Sequence, residues 1–214
     1  MKKILCIALM FCCVSLVHAQ YKTVKKNEVS SEELMDRLDA LVDQFCKYVE
    51  VIGSTGSVSE AEKNRMRRQD VPELFYRYNE RKMITTYGQG GKGKSQKKMF
   101  DYFRNLQTQA KSNNSLKSKT NVTYDMEFVF ACTNGELNWK YLKTHEDGTK
   151  LYGATVYIYQ TYMKETRTGV EIMRSRREVD KKEMTVHKMV LPDTSEVYKL
   201  GDINRAERLE TANR

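Results

Sequence analysis

From residue 34 the chain places apolar residues at three- and four-residue steps: Leu34, Leu38, Leu41, Phe45, Val49 and Ile52. That period predicts one long helix with a single buried stripe. Ser30 and Glu33 have the spacing of a capping box, so the helix is expected to start near Ser31. Gly53 to Ser57 breaks it. Ser59 to Gln69 reads as a short, highly charged second helix with little apolar face, stopped by Pro72. Met83 to Tyr87 is β-branched and aromatic and predicts a short strand. A glycine–lysine loop follows from Gly88 to Lys94. Ser95 to Ala110 predicts a third helix with Met99, Tyr102, Phe103 and Leu106 on one side, and residues 111–121 form a polar loop.

At Tyr124 the period changes from about 3.6 to two. Tyr124, Met126, Phe128 and Phe130 alternate with Asp125, Glu127, Val129 and Ala131. The even positions are assigned to the buried face, opposite the Leu34–Leu38–Leu41–Phe45 stripe, because carboxylates are costly to bury unpaired. Asn134-Gly135 is a strong hairpin signal. Asp147-Gly148 and Thr168-Gly169 mark two more turns. Between them lie strands carrying Leu137, Trp139 and Tyr141, then Leu151 to Met163. Val170 to Val179 and Met184 to Leu191 are expected as two further strands. Helices first and hairpin-linked strands after give an α+β class, with N-terminal helices packed on an antiparallel sheet. The domain is expected over 31–203, with 20–30 a flexible lead-in and 204–214 a charged, frayed tail.

Composition changes this picture mainly at the N-terminus. Lys2 and Lys3 precede the apolar stretch Ile4 to Val17, and Val17-His18-Ala19 ends it with a small residue. This predicts a signal peptide over 1–19, cut between Ala19 and Gln20, and an exported, periplasmic or secreted protein. The run is shorter than the roughly 20 residues of a membrane span. Met10 and Phe11 before Cys12 make a poor lipid-attachment site. Removing nineteen residues from 214 leaves 195, and loss of Lys2 and Lys3 lowers the formal charge from +9 to +7. Of five cysteines, Cys46 and Cys132 remain; in an exported chain they form one disulfide or stay as two buried thiols. No transmembrane segment is expected after processing.

Gly88 to Ser95 matches the phosphate-loop pattern G-x-x-x-x-G-K-[ST], with Gly88, Gly93, Lys94 and Ser95 in the key places. Antiparallel hairpins are the wrong scaffold for it, since such enzymes use a parallel sheet of βαβ units. The bland reading is a loop with Ser95 capping the next helix. The mature chain has two histidines, His145 and His187, on different strands and without ligand spacing, so no metal and no cofactor are expected. His187 is the weak candidate for acid–base work. Basic clusters (Arg65, Arg67 and Arg68; Lys92, Lys94, Lys97 and Lys98; Arg174, Arg176 and Arg177) read as solvated faces, and no nucleic-acid partner is expected. Trp139, Tyr141, Tyr159 and His187 are the residues assigned to a ligand pocket, against the alternative that the tyrosines are cross-strand pairs.

The order of helix, short helix, short strand, helix and long-stranded sheet, closing in Val197 to Ile203, resembles the nuclear transport factor 2-like superfamily, in particular small exported bacterial members of unassigned role. The resemblance spans about residues 31–203. It implies a cone-shaped, curved antiparallel sheet around a helix, with a pocket inside. Members either bind ligands or act as isomerases and dehydratases with a pocket aspartate or histidine. The reading that follows is an exported, non-catalytic protein binding a small ligand or an envelope partner through a sheet-lined pocket. The alternative is a cone-fold acid–base enzyme, with a phosphate-loop nucleotide binder ranked third and a homodimer left open.

Overall fold

The computed structural model describes residues 29–56, 58–86, 94–114, 119–168 and 171–213. The leader over 1–19, Gly88, Gly93 and the Thr168-Gly169 turn fall wholly or partly outside them. Helix α1 spans Val29–Gly53 and so begins within the segment expected as lead-in. Its stripe is buried as the period requires: Leu38, Val42, Phe45, Val49 and Ile52 have no exposed surface, while Leu34 and Leu41 lie at the margin. Helix α4, Met99–Asn114, packs beside it through Met99, Phe103 and Leu106. Phe45 meets the edges of Phe75 and Phe103, both at 6.0 Å between ring centroids. Among the described residues no helix is long and apolar enough to cross a membrane.

The region between these helices departs from expectation. Helix α2, Glu60–Arg65, runs through a π-helical turn, Met66–Asp70, into the short α3, Val71–Glu73. Pro72 does not stop the chain, because it stands in the first turn of α3, where its missing N–H has no partner to lose. Nor are all the charges of this region solvated. Lys63 is buried, and its ammonium donates to Ser54 O at 2.6 Å, capping the C-terminal end of α1. Arg67 is buried too, donating to Gln107 Oε1 at 3.0 Å beside the Phe100 ring.

The sheet has seven strands in the order β2-β1-β9-β8-β7-β3, with β6 sharing the outer edge of β7. Their ranges are β1 Lys82–Thr86, β2 Lys94–Lys98, β3 Lys119–Phe130, β6 Lys140–Thr144, β7 Lys150–Thr168, β8 Glu171–Val190 and β9 Glu196–Asn213. Every pairing is antiparallel except β1 with β9, so the sheet is mixed. The small hairpin β4, Cys132–Thr133, with β5, Glu136–Leu137, turns at Asn134 and Gly135, both with positive φ of 54° and 82°. The class is α+β with few helices.

Three strand expectations are corrected. Glu171–Val190 is one strand, β8, rather than two. The Asp180-Lys181-Lys182-Glu183 run that reads as a break continues the ladder, because its charges find partners: Lys182 donates to Gln160 Oε1 and Arg208 to Asp180. Residues 204–213 of the tail are not frayed. They form the end of β9, where Arg208 also holds Glu178 at 2.7 Å. Ser95 does not cap a helix; Lys94 and Ser95 lie on β2, opposite Thr86 and Thr85.

Alternation in β3 is as expected. Val122 and Phe130 are buried, Met126 and Phe128 pack against the core, and Asp125 and Glu127 are exposed. Its outer edge would offer unpaired N–H groups to any passing strand. Glu50 of α1 and the Ser54-Thr55 bend that follows the helix cover them. Val122 N–H donates to Thr55 Oγ1 at 3.0 Å, Tyr124 N–H to Ser54 Oγ at 3.4 Å, and Met126 N–H to Glu50 Oε1 at 3.1 Å.

Candidate functional site

One face of the sheet is filled by the helices. Ala154, Val156 and Ile158 of β7 stand opposite Val186, Met184 and Lys182 of β8, all buried on that side. His187 and Met189 are out of phase with Met184 and Val186, so they belong to the other face. A cavity of about 700 Å³ lies there, at the end of the sheet where β8 finishes.

Its first wall comes from the segment after α3. Leu200 N–H donates to Leu74 O at 2.7 Å and Tyr76 N–H to Leu200 O at 2.9 Å, so the segment runs along β9 as a short parallel strand. Alternation then buries Phe75 in the core and sends Tyr76 to the outer face. Arg77 follows with a φ of 50°, in the left-handed region rarely used by a non-glycine residue. The chain turns there into a 3₁₀ turn, Tyr78–Glu80, and back to β1. The strained residue stands at the mouth of the cavity.

The second wall is the β6–β7 turn. His145 N–H donates to Thr149 O at 2.8 Å and Gly148 N–H to His145 O at 3.0 Å, with Gly148 at a φ of 84°. Asp147 accepts from Thr149 N–H at 2.9 Å, and these hydrogen bonds to Thr149 hold its carboxyl below the usual range. Met189 and Leu191, from the end of β8, supply apolar lining. Across the cavity the Tyr76 hydroxyl lies 2.9 Å from His145 Nε2, joining the walls by a hydrogen bond. Lys143 and Thr144 complete the rim beside Glu146.

His187 lies behind this pair. Its ring meets that of Tyr76 at 5.4 Å, and only 5% of it is exposed. Burial lowers its pKa, and the nearby Arg81 guanidinium lowers it further. Arg81 is itself paired with Asp202 at 3.4 Å, and its guanidinium lies 5.6 Å from the Tyr76 ring centre. A methyl group at Gly201 would overlap His187 Nε2, so glycine is what lets the imidazole approach β9 so closely. Tyr76 therefore sits between two histidines, one lining the cavity and one sealed beneath.

The four residues assigned to a pocket do not converge. Trp139 packs on Tyr198 at 6.4 Å, with the Lys188 ammonium 5.1 Å from its ring centre. Tyr141 is 58% exposed and stacks edge-on with Tyr152. Tyr159 is half-buried, and the Lys181 ammonium lies 5.9 Å from its ring centre. His187 alone touches the pocket assembly. Both cysteines are free, Cys46 buried and Cys132 half-buried. Lys94 and Ser95 on a strand are not at the helix N-terminus a phosphate loop requires. Among the described residues no group of three or more His, Cys, Asp and Glu side chains could hold a metal ion.

Tyr76 and Arg77 were not legible as site residues, because nothing local gives residues 74–82 a helical or strand period. The Asp147-Gly148 turn is the one signal that fixes His145 in space. Comparison of the chain with protein-family models, with curated proteins and with solved structures finds no match.

Proposed function

We propose that the protein is an exported, non-catalytic binding protein whose small ligand enters the outer-face cavity between Tyr76 and His145. The observation that carries this reading is the hydrogen-bonded Tyr76–His145 pair spanning an open cavity of about 700 Å³ above Met189 and Leu191. Ligand sites combine an apolar lining with a few convergent polar groups, within about 300–1,000 Å³. The basic, apolar and small-residue order of residues 1–19 supports export. The helix-covered face, where a nuclear transport factor 2-like pocket is expected, is filled by core side chains. The binding role is therefore assigned to the opposite face.

The alternative, acid–base catalysis, draws support from the same pair, since a tyrosine hydroxyl bonded to an imidazole can pass a proton. It moves the candidate from His187, which is sealed, to His145, which lines the cavity. Native mass spectrometry of protein purified from its own source tests the binding reading. A retained small molecule, released by His145→Ala or Tyr76→Ala, is the expected result. A ligand that stays bound in both variants places the site elsewhere. A ligand recovered as substrate and product together supports catalysis.

A further inference from the structure

We propose that one basic edge of the molecule docks it on an anionic phospholipid surface, with the Phe100 ring seated among the headgroups. The inference uses the export reading only to place the protein beside a membrane, and it is independent of the cavity. Two basic runs that lie far apart in the chain, Arg67-Arg68 and the lysines of β1 and β2, come together here. Met99 N–H donates to Arg81 O at 2.9 Å, so α4 starts beside the start of β1. Lys98, the last residue of β2, stands opposite Lys82, the first of β1. Phe100 follows two residues on. The Arg67 and Arg104 guanidinium groups lie 5.3 Å and 5.9 Å from its ring centre.

The charge of this edge is largely of one sign. β1 and β2 read KMITT and KSQKK, without an acidic residue. Lys82 and Lys98 are both exposed, and like charges directly opposite each other destabilise a sheet. Burial lowers the pKa of Arg67, and the like charges of Arg68 and Arg104 lower it further. The carboxylates that border the edge are engaged. Asp101 pairs with Arg104 at 2.8 Å, and Glu62 and Asp70 pair with Arg65 at 2.6 Å and 2.9 Å. Glu80 lies between Arg77 and Arg81, and Asp202 accepts from the Arg81 guanidinium and from Lys82 N–H. Arg68, Lys82 and Lys98 form no ion pair among the described residues.

Lysines on an edge strand keep other strands from pairing with it. That accounts for β2 and leaves the adjoining helix unexplained. Phe100 is 38% exposed between two arginines, where its ring completes no core. A phospholipid surface supplies what both features lack: phosphates for the cations and a less polar layer beneath them for the ring. A nucleic acid supplies the phosphates, but in a duplex the bases are stacked away from its surface.

The test uses the mature chain expected from cleavage after Ala19, because the apolar run of the leader would itself enter lipid. It is mixed with vesicles of phosphatidylcholine alone, or of phosphatidylcholine with phosphatidylglycerol. Cosedimentation should show binding to the mixed vesicles only, weakened by added salt. Each basic residue removed from the edge should weaken binding about fivefold. Lys82→Gln with Lys98→Gln, and Arg68→Gln with Arg104→Gln, should therefore each cost roughly 30-fold. Lys140→Gln with Lys143→Gln removes the same charge from exposed positions on β6 and should leave binding nearly unchanged. The emission of a Phe100→Trp variant should move to the blue on the mixed vesicles. Equal losses from the β6 pair and the edge pairs would overturn the assignment, since net charge alone would then drive binding. Binding to a DNA duplex but not to mixed vesicles would overturn it in favour of a nucleic-acid partner, and binding to neither overturns it outright. Intact-mass measurement of the native protein tests export separately, so failure of that reading is told apart from failure of the docking edge.

Discussion

Lys182 offers a quantitative test of the packing. It lies on β8 among core residues, 4% exposed, donating to Gln160 Oε1, with its ammonium 5.3 Å from the Tyr102 ring centre. Burial lowers its pKa from 10.5 to about 8; Asp180 works against the shift and Arg208 with it. Between those values the unfolded chain binds a proton that the folded chain does not, so stability rises with pH across the interval. At about 1.4 kcal/mol per pH unit, the ionised amine costs the fold about 3 kcal/mol at neutral pH. Lys182→Met keeps the volume and removes the charge. It should be more stable than wild type at pH 7, by about 1–3 kcal/mol once the lost hydrogen bond and ring contact are set against the charge. The advantage should shrink by roughly 2 kcal/mol between pH 8 and pH 10, as the wild-type lysine loses its proton. Cys46 acts in the opposite sense. Its thiol is pushed up to about 12 by burial, so the unfolded chain loses that proton first and stability falls above about pH 9. That contribution is common to both proteins and cancels in their difference to first order. Urea melts at pH 7, 8, 9 and 10 measure the gap. Parallel curves, or a gap that widens with pH, would mean that Lys182 is hydrated and the β7–β8 interior is not packed as described.

Four other outcomes follow from named contacts. Phe130→Ala should cost about 3–5 kcal/mol as a truncated buried phenylalanine, half-buried Phe128→Ala clearly less, and exposed Glu127→Ala under about 0.5 kcal/mol; denaturant melts rank the three. Glu50→Ala frees the Met126 N–H on the β3 edge, which should cost about 1–2 kcal/mol and raise self-association measured by sedimentation. His187→Gln should remove a pH dependence: the lowered folded pKa of His187 gives stability that is complete above about pH 6.5 and is lost as pH falls, so wild type should weaken between pH 7 and pH 5 more than the variant in thermal melts. Gly201→Ala should cost about 1–3 kcal/mol, because the added methyl must displace an imidazole already held under Tyr76.

How much of this was legible depends on where each residue's partner lies. The α1 stripe, the β3 alternation and the Asn134-Gly135 turn are local patterns, and a local pattern carries its own geometry. Lys63, Arg67, Asp180, Lys182 and Arg208 were read as solvated or as chain breaks because charge is costly to bury unpaired. Each is instead held by a partner that sequence order hides: Ser54, Gln107 at forty residues' distance, Gln160, and the Arg208 pairing with Asp180. The same limit governs the site. Tyr76 and His145 are separated by 69 residues and meet because one rides the edge of β9 while the other is fixed by a glycine turn after β6. His187 was singled out for its chemistry, yet its role follows from its neighbour. With glycine at 201 the imidazole lies close against β9, Tyr76 meets it edge-on, and the tyrosine hydroxyl bonds to His145. A buried histidine that positions a tyrosine, rather than one that faces a ligand, is the arrangement on which the cavity depends.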